Sequence, residues 1–89
     1  MTDLQAELWN DHGAQFLMRL GQMPVGQNCR LQDIFGADWQ QLGDGHFRQN
    51  IGRAISAAFC ENHPDIDQLR FQQTQIDGTS NRMQYRRLA

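Results

Sequence analysis

The segment after Asp44 carries the most regular apolar pattern of the 89-residue chain. Apolar side chains recur there at helical spacing over about four turns, which predicts one long amphipathic helix with a single buried face. Asp44 is placed to cap this helix by accepting hydrogen bonds from its first free amides. His63-Pro64 ends the pattern, because the residue before proline is pushed out of helical geometry. The apolar stripe consists of Phe47, Ile51, Ala54, Ile55, Ala58 and Phe59.

The N-terminal segment predicts a second helical region. Thr2-Asp3 holds the candidate N-cap, and apolar residues follow at mostly helical spacing. Gly13 interrupts the pattern, because glycine costs about 1 kcal/mol in a helix interior. We therefore expect one kinked helix or two short helices that end near Gly21.

Short elements are predicted between these two regions. Residues 29–31 are expected to form an extended piece, and residues 33–35 a single helical turn closed by Gly36. Residues 38–42 are expected to form a further short helix.

Toward the C-terminus the period changes from helical to alternating. Leu69 and Phe71 alternate with polar residues, and Met83 and Tyr85 do the same. A cluster of turn residues at 77–81 separates the two runs, which predicts an antiparallel β-hairpin. The alternation slips at the end of the first run, which indicates a bulge or an early start of the loop.

These elements predict one small α+β domain that spans residues 1–89. The order is N-terminal helix or helices, short helix, long amphipathic helix and C-terminal hairpin, which is the order of a winged helix–turn–helix domain. In such a domain the long helix is the recognition helix and the hairpin is the wing. A small α+β domain that does not bind DNA would show the same order.

Charge is distributed unevenly along the chain. The net charge is −2, and all eight basic residues are arginine. Residues 1–43 carry a net charge of −3, whereas residues 68–89 carry +3. The overall value counts against strong binding through phosphates, and the basic C-terminal segment only partly compensates for it.

The polar side of the long helix is the first candidate site. It has no acidic residue between Asp44 and Glu61, so it could lie in a major groove with arginine reading guanine and glutamine reading adenine. The alternative is that its arginines pair with Asp33 or Asp38 on the neighbouring short helix. The predicted contacts are Arg48, Gln49, Arg53 and Ser56.

The arginines of the hairpin are the second candidate site, as contacts to phosphates. The alternatives are an ordinary solvated sheet face, a surface for an acidic protein, and a strand edge that pairs with a second copy. The predicted contacts are Arg70, Arg82, Arg86 and Arg87.

Several short motifs lie along residues 23–88. They are Pro24-Val25-Gly26, Leu31-Gln32-Asp33-Ile34-Phe35-Gly36, Trp39, Leu42, Phe47-Arg48, Ile51-Gly52-Arg53 and Tyr85-Arg86-Arg87. Together they resemble the small bacterial and phage family catalogued as domain of unknown function 1413. The resemblance implies a compact single domain of mobile-element type and no particular mechanism. Residues 1–22 lie outside it as a helical extension, and Cys60–Asp67 resembles an insertion.

The sequence offers little support for a metal site, an enzyme or a membrane protein. His12, His46 and His63 are dispersed and lack the spacing of a metal site. No nucleophile with a nearby base appears, so neither an enzyme nor a cofactor is expected. The chain shows no membrane span and no secretory signal, so we expect a cytoplasmic protein.

Two functions therefore remain. The first is a winged-helix-like regulatory domain of phage or mobile-element type that binds double-stranded DNA. The alternative is an accessory module that binds a protein partner and no nucleic acid. Apolar residues in excess on the N-terminal helix would suit a homodimer through that helix, since dimers read two half-sites. These residues are Leu17, Met18, Leu20 and Met23.

Overall fold

The computed structural model describes residues 1–75 and 83–89 and confirms a small α+β domain. Its described part has three α-helices, one 3-10 helix and three strands. In chain order the elements are α1 (Asp3–Leu20), β1 (Asn28–Cys29), α2 (Leu31–Phe35), the 3-10 helix (Gly36–Gln41), α3 (Gly45–Cys60), β2 (Phe71–Gln75) and β3 (Met83–Arg87).

The sheet is antiparallel, with the strands in the order β1-β3-β2. β2 pairs with β3 from Phe71 opposite Arg87 to Gln75 opposite Met83 without interruption, which confirms the pairing of the two C-terminal strands. The expected bulge does not occur in this span, and the predicted turn at 77–81 lies outside the described residues. β1 pairs with the other side of β3, with Cys29 opposite Tyr85.

α1 is one uninterrupted helix, so the two short helices that were the second expectation do not occur. Thr2 and Gln5 form a capping box at its start, which satisfies two amides that would otherwise be unpaired. The helix ends before Gly21, as predicted. Gly13 is buried because the indole of Trp9 lies over it, and a Cβ atom at this position would stand 2.6 Å from Trp9 Cδ2. Gly13 therefore serves packing.

The predicted long helix is α3, and the carboxylate of Asp44 caps it by accepting from Phe47 N–H at 2.8 Å. The middle of its apolar stripe, Ile51 to Ala58, is fully buried. The expected short helix at 38–42 is part of the 3-10 helix instead. Gly36 between α2 and the 3-10 helix has φ +61°, a conformation that favours glycine.

The core lies where α1, α3 and the inner face of the sheet meet. Phe16 of α1 is fully buried at its centre. The Phe16 ring centroid lies 5.2 Å from that of Tyr85, 6.2 Å from Phe59 and 6.3 Å from Phe35. The N-terminal helix therefore belongs to the same core as the segment that carries the family-like motifs.

The hydroxyl group of Tyr85 gives the first testable prediction. The side chain is fully buried, and Tyr85 Oη has no hydrogen-bond partner in the described part of the chain. Burial raises the pKa of the phenol well above its ordinary value. The Tyr85→Phe variant should be as stable as the parent or more stable at neutral pH, because the unpaired buried oxygen is removed.

The pH dependence of Tyr85 follows from the same shift. Above about pH 10 the unfolded chain releases the phenolic proton while the folded chain keeps it, so the free energy of unfolding falls by about 1.4 kcal/mol per pH unit. This loss is absent in Tyr85→Phe. Urea unfolding of both proteins at neutral pH and at about pH 11 measures the difference. Equal alkaline losses in the two proteins would contradict the assignment.

Candidate nucleic-acid interface

An open groove of about 790 Å³ runs along the outer side of α3. The start of α2, the 3-10 helix and the first residue of β3 form its other walls. All four contacts that were predicted on the long helix line it. The polar and aromatic side chains that matter for its chemistry are Arg30, Trp39, Arg48, Gln49, Arg53 and Ser56.

The helical repeat explains why these α3 residues share one side. Residues four apart in a helix lie on the same face, so Gln49 and Arg53 project together while Ile51 and Ile55 face the core. Gln49 and Arg53 are exposed. Both are therefore placed to contact a ligand that lies along α3.

Arg48 occupies a more constrained position. It is half-buried, and its Nη1 atom donates to the carbonyl of Gly43 at 2.8 Å, in the turn that precedes α3. This bond holds the guanidinium at the N-terminal end of the groove. One of its five N–H donors is used there, so others remain for a ligand.

The alternative in which acidic residues neutralise the arginines of α3 is wrong for the described residues. Asp38 pairs with Arg19 of α1, and Arg19 Nη1 also donates to the carbonyl of Phe35 at 2.8 Å. Asp33 Oδ2 accepts from the backbone N–H of Arg30 at 3.1 Å. No ion pair in the described chain involves Arg48 or Arg53. Their charges are therefore available.

Trp39 and Leu31 give the groove its apolar floor. Trp39 is half-buried and stacks on Phe35, with ring centroids 5.7 Å apart and an interplanar angle of 24°. Leu31 of α2 packs close to Gly52, where a Cβ atom would stand 3.4 Å from Leu31 Cδ1. A Cβ atom at that distance would make an ordinary contact, so the approach of α2 to α3 does not require glycine at position 52.

Ser56 has a partner within the chain. Its Oγ atom accepts a hydrogen bond from Gln73 Nε2 at 2.9 Å. The bond ties the middle of α3 to β2, so Ser56 joins the groove wall to the sheet.

The arginines predicted as phosphate contacts do not line this groove. Arg87 is half-buried and donates to the carbonyl groups of Ala89 at 2.8 Å and Met23 at 3.2 Å, which fastens the loop after α1 to the end of β3. Arg86 donates to Gln72 Oε1 at 2.6 Å on the outer face of the sheet. Arg82 lies outside the described residues.

Arg70 lies at the end of the domain formed by the start of β2. Its guanidinium carbon stands 5.0 Å from the centroid of the Phe71 ring. Its Nη2 atom comes within 3.6 Å of the position that a Cβ atom of Gly21 would take, at the end of α1. A cation is favourable near a helix C-terminus, so this placement also has a structural explanation.

Sequence reasoning missed Arg30, the third cation of the groove. It is the exposed residue directly before α2, and its backbone N–H donates to the carboxylate of Asp33. The sequence offered no signal for it, because arginine cannot accept the hydrogen bond of a capping box.

The described residues contain no group of three or more histidine, cysteine or acidic side chains that could hold a metal ion. Within the same residues, every helix is too short or too polar to cross a membrane. Searches with family models, among curated proteins and among solved structures find no match to this chain. The resemblance to domain of unknown function 1413 therefore stays a prediction.

Proposed function

We propose that the chain is a winged-helix-like domain that binds double-stranded DNA along α3. The observation that carries this proposal is the groove, in which three guanidinium groups lie on one surface and no carboxylate is among the described residues that line it. None of the three has an ion pair within the described chain, and Asp33 accepts from the backbone N–H of Arg30. A phosphate backbone is the ligand whose charge best complements such a surface.

The arrangement of the elements supports the winged-helix part of the proposal. The chain order α1, β1, α2, α3, β2, β3 is that of a winged helix–turn–helix domain. Gln49 and Arg53 are exposed on the outer side of α3, and β2 and β3 of the sheet lie next to the helix. In this arrangement α3 is the recognition helix, and β2 with β3 is the wing.

The groove residues divide into two roles. Arg53 and Gln49 are exposed on α3, where arginine pairs with guanine and glutamine with adenine in a major groove. Arg30 and Arg48 lie at the starts of α2 and α3, where their positive charges suit phosphate oxygens. A regulatory domain of phage or mobile-element type would use contacts of both kinds.

Fluorescence anisotropy with a random-sequence duplex tests the proposal over a range of salt concentrations. Arg30→Ala and Arg48→Ala should each reduce the steepness of log affinity against log salt by about 1, because each contact to phosphate releases counterions. Arg70→Ala removes the same charge outside the groove and should leave the slope nearly unchanged. No binding at low salt, or equal losses in all three variants, would contradict the proposal.

The alternative, a module that binds a protein partner, is favoured by the net charge of −2 and by exposed apolar side chains. Leu69 is 85% exposed, and Val25 and Met18 are each 59% exposed. If the same assay shows no duplex binding, the protein-binding module remains as the function.

A homodimer through α1 has no support from the described surface of that helix. Leu4 and Met18 are exposed, but Glu7 and Asp11 lie between them on the same side. Pairing two such faces would bring four carboxylates together at short range.

A further inference from the structure

β2 is an edge strand with unused hydrogen-bonding groups. The sheet order places β3 on one side of β2, and no strand of the described chain lies on its other side. Leu88 N–H donates to the carbonyl of Arg70, and Thr74 Oγ1 lies 3.4 Å from the carbonyl oxygen of Gln84. Because ladder bonds alternate in an antiparallel pair, Gln72 and Thr74 face β3.

The backbone of Gln73 therefore points to the open edge. Phe71 shares this orientation, but its N–H already donates to the carbonyl of Asp67 at 3.0 Å. Gln73 presents both an N–H and a C=O group to any strand that approaches. Natural edge strands are commonly protected by charged residues or proline, whereas Phe71–Gln75 contains neither.

A second groove, of about 320 Å³, lies along this edge. Phe71, Gln72 and Gln73 of β2 form one wall, and Leu88, which follows β3, also lines the groove. The opposite wall comes from the end of α3 and the segment after it. Its apolar side chains are Phe59 and Ile66, its amide side chains are Asn62 and Gln68, and none of the residues that line it is charged.

We propose that this edge groove binds an extended, uncharged peptide segment of a partner protein, which adds to β2 as a new strand. Strand addition obtains affinity from main-chain hydrogen bonds and specificity from pockets for alternate side chains. Here the Gln73 backbone supplies the bonds, and Phe59 with Ile66 accepts an apolar side chain. A charged side chain is disfavoured, because it would lose water against apolar walls without a partner.

A second copy of β2 does not fit this groove as well. Two inner-face side chains of β2 are already engaged, since Phe71 is buried and Gln73 bonds to Ser56. A copy of the strand would therefore bring no free apolar side chain to Phe59 and Ile66. The occupant needs such a side chain at every second position.

The test is selection from a phage-displayed library of short random linear peptides against the full chain. Enriched peptides should lack charged residues, carry apolar residues at alternate positions and bind as monomeric complexes in analytical ultracentrifugation. No enrichment over the starting library, enrichment of charged peptides, or self-association of the chain that blocks the selected peptides would overturn the proposal.

Two variants at one position isolate the edge contact. Gln73→Ala removes the bond to Ser56 and keeps the N–H group, whereas Gln73→Pro removes both, and proline is tolerated where the N–H faces away from the ladder. Selected peptides should bind the Gln73→Ala variant with the same affinity as the parent. They should bind the Gln73→Pro variant at least about tenfold more weakly, which corresponds to about 1.4 kcal/mol of binding free energy. Equal affinities for the two variants would overturn the proposal.

Hydrogen exchange in the unmodified chain gives a measurement that does not depend on the folding of a variant. The Gln73 amide should exchange faster than those of Gln72 and Thr74 in the free protein, and saturation with a selected peptide should slow it by at least about tenfold. An unchanged Gln73 exchange rate would overturn the proposal. The DNA assay measures binding at the groove on the outer side of α3, whereas the peptide assays measure binding at the edge of β2. A negative result in one therefore does not decide the other.

Discussion

The Phe16→Ala variant is expected to lose about 3–5 kcal/mol of unfolding free energy, the usual cost of truncating a buried phenylalanine. Phe16 is fully buried, and aromatic rings from α2, α3 and β3 surround it. Truncation would leave a cavity at a point where α1, α2, α3 and β3 meet. Domains commonly have about 0.05–0.15 kcal/mol of stability per residue, so a chain of 89 residues has little reserve.

Urea unfolding followed by circular dichroism measures the loss. Leu4→Ala is the matched control, because Leu4 is an apolar residue of the same helix that is 51% exposed. Its substitution should change stability by no more than about 0.5 kcal/mol. A loss below about 1 kcal/mol for Phe16→Ala would mean that Phe16 does not centre the core.

The Gly13→Ala variant is expected to be less stable than the parent by about 1–3 kcal/mol, the usual cost of overpacking. Helix propensity alone predicts a gain of about 1 kcal/mol. The sign reverses because a Cβ atom would lie 2.6 Å from an indole carbon of Trp9. The indole cannot easily move, since Trp9 is buried and its Nε1 atom donates to Asp65 Oδ2 at 3.1 Å.

A double-mutant cycle separates steric overlap from other causes. In a protein that already carries Trp9→Leu, Gly13→Ala should no longer lower stability, because the indole ring that would overlap the new Cβ atom is absent. Thermal unfolding of the four proteins gives the coupling. Additive effects at the two sites would contradict this account of Gly13.

The patterns that are local in sequence predicted much of the fold. The apolar stripe and the Asp44 cap locate α3, and alternation around Phe71 and Tyr85 locates the two strands, because each pattern depends only on near neighbours. The expectation of two short helices around Gly13 was wrong for a related reason. Helix propensity describes an isolated helix, in which glycine is unfavourable. In the folded chain glycine is required at position 13 because the indole ring of Trp9 packs against it.

The four side chains of the candidate site that lie on α3 were predictable in the same way. The helical repeat alone brings Gln49 and Arg53 to one face. The neutralising partners were not predictable, because the pairing of Asp38 with Arg19 joins two segments whose approach depends on the whole core. The same holds for Arg87, whose bond to the Met23 carbonyl spans most of the chain.

The order of the strands in the sheet has a consequence for synthesis of the protein. β3 comes last of the elements in the chain, yet it is the central strand, and its Tyr85 ring closes the core. Neither β1 nor β2 has a partner until β3 is present. Helices that emerge earlier from the ribosome therefore wait with their apolar faces uncovered, which is the period when nascent chains aggregate or recruit chaperones.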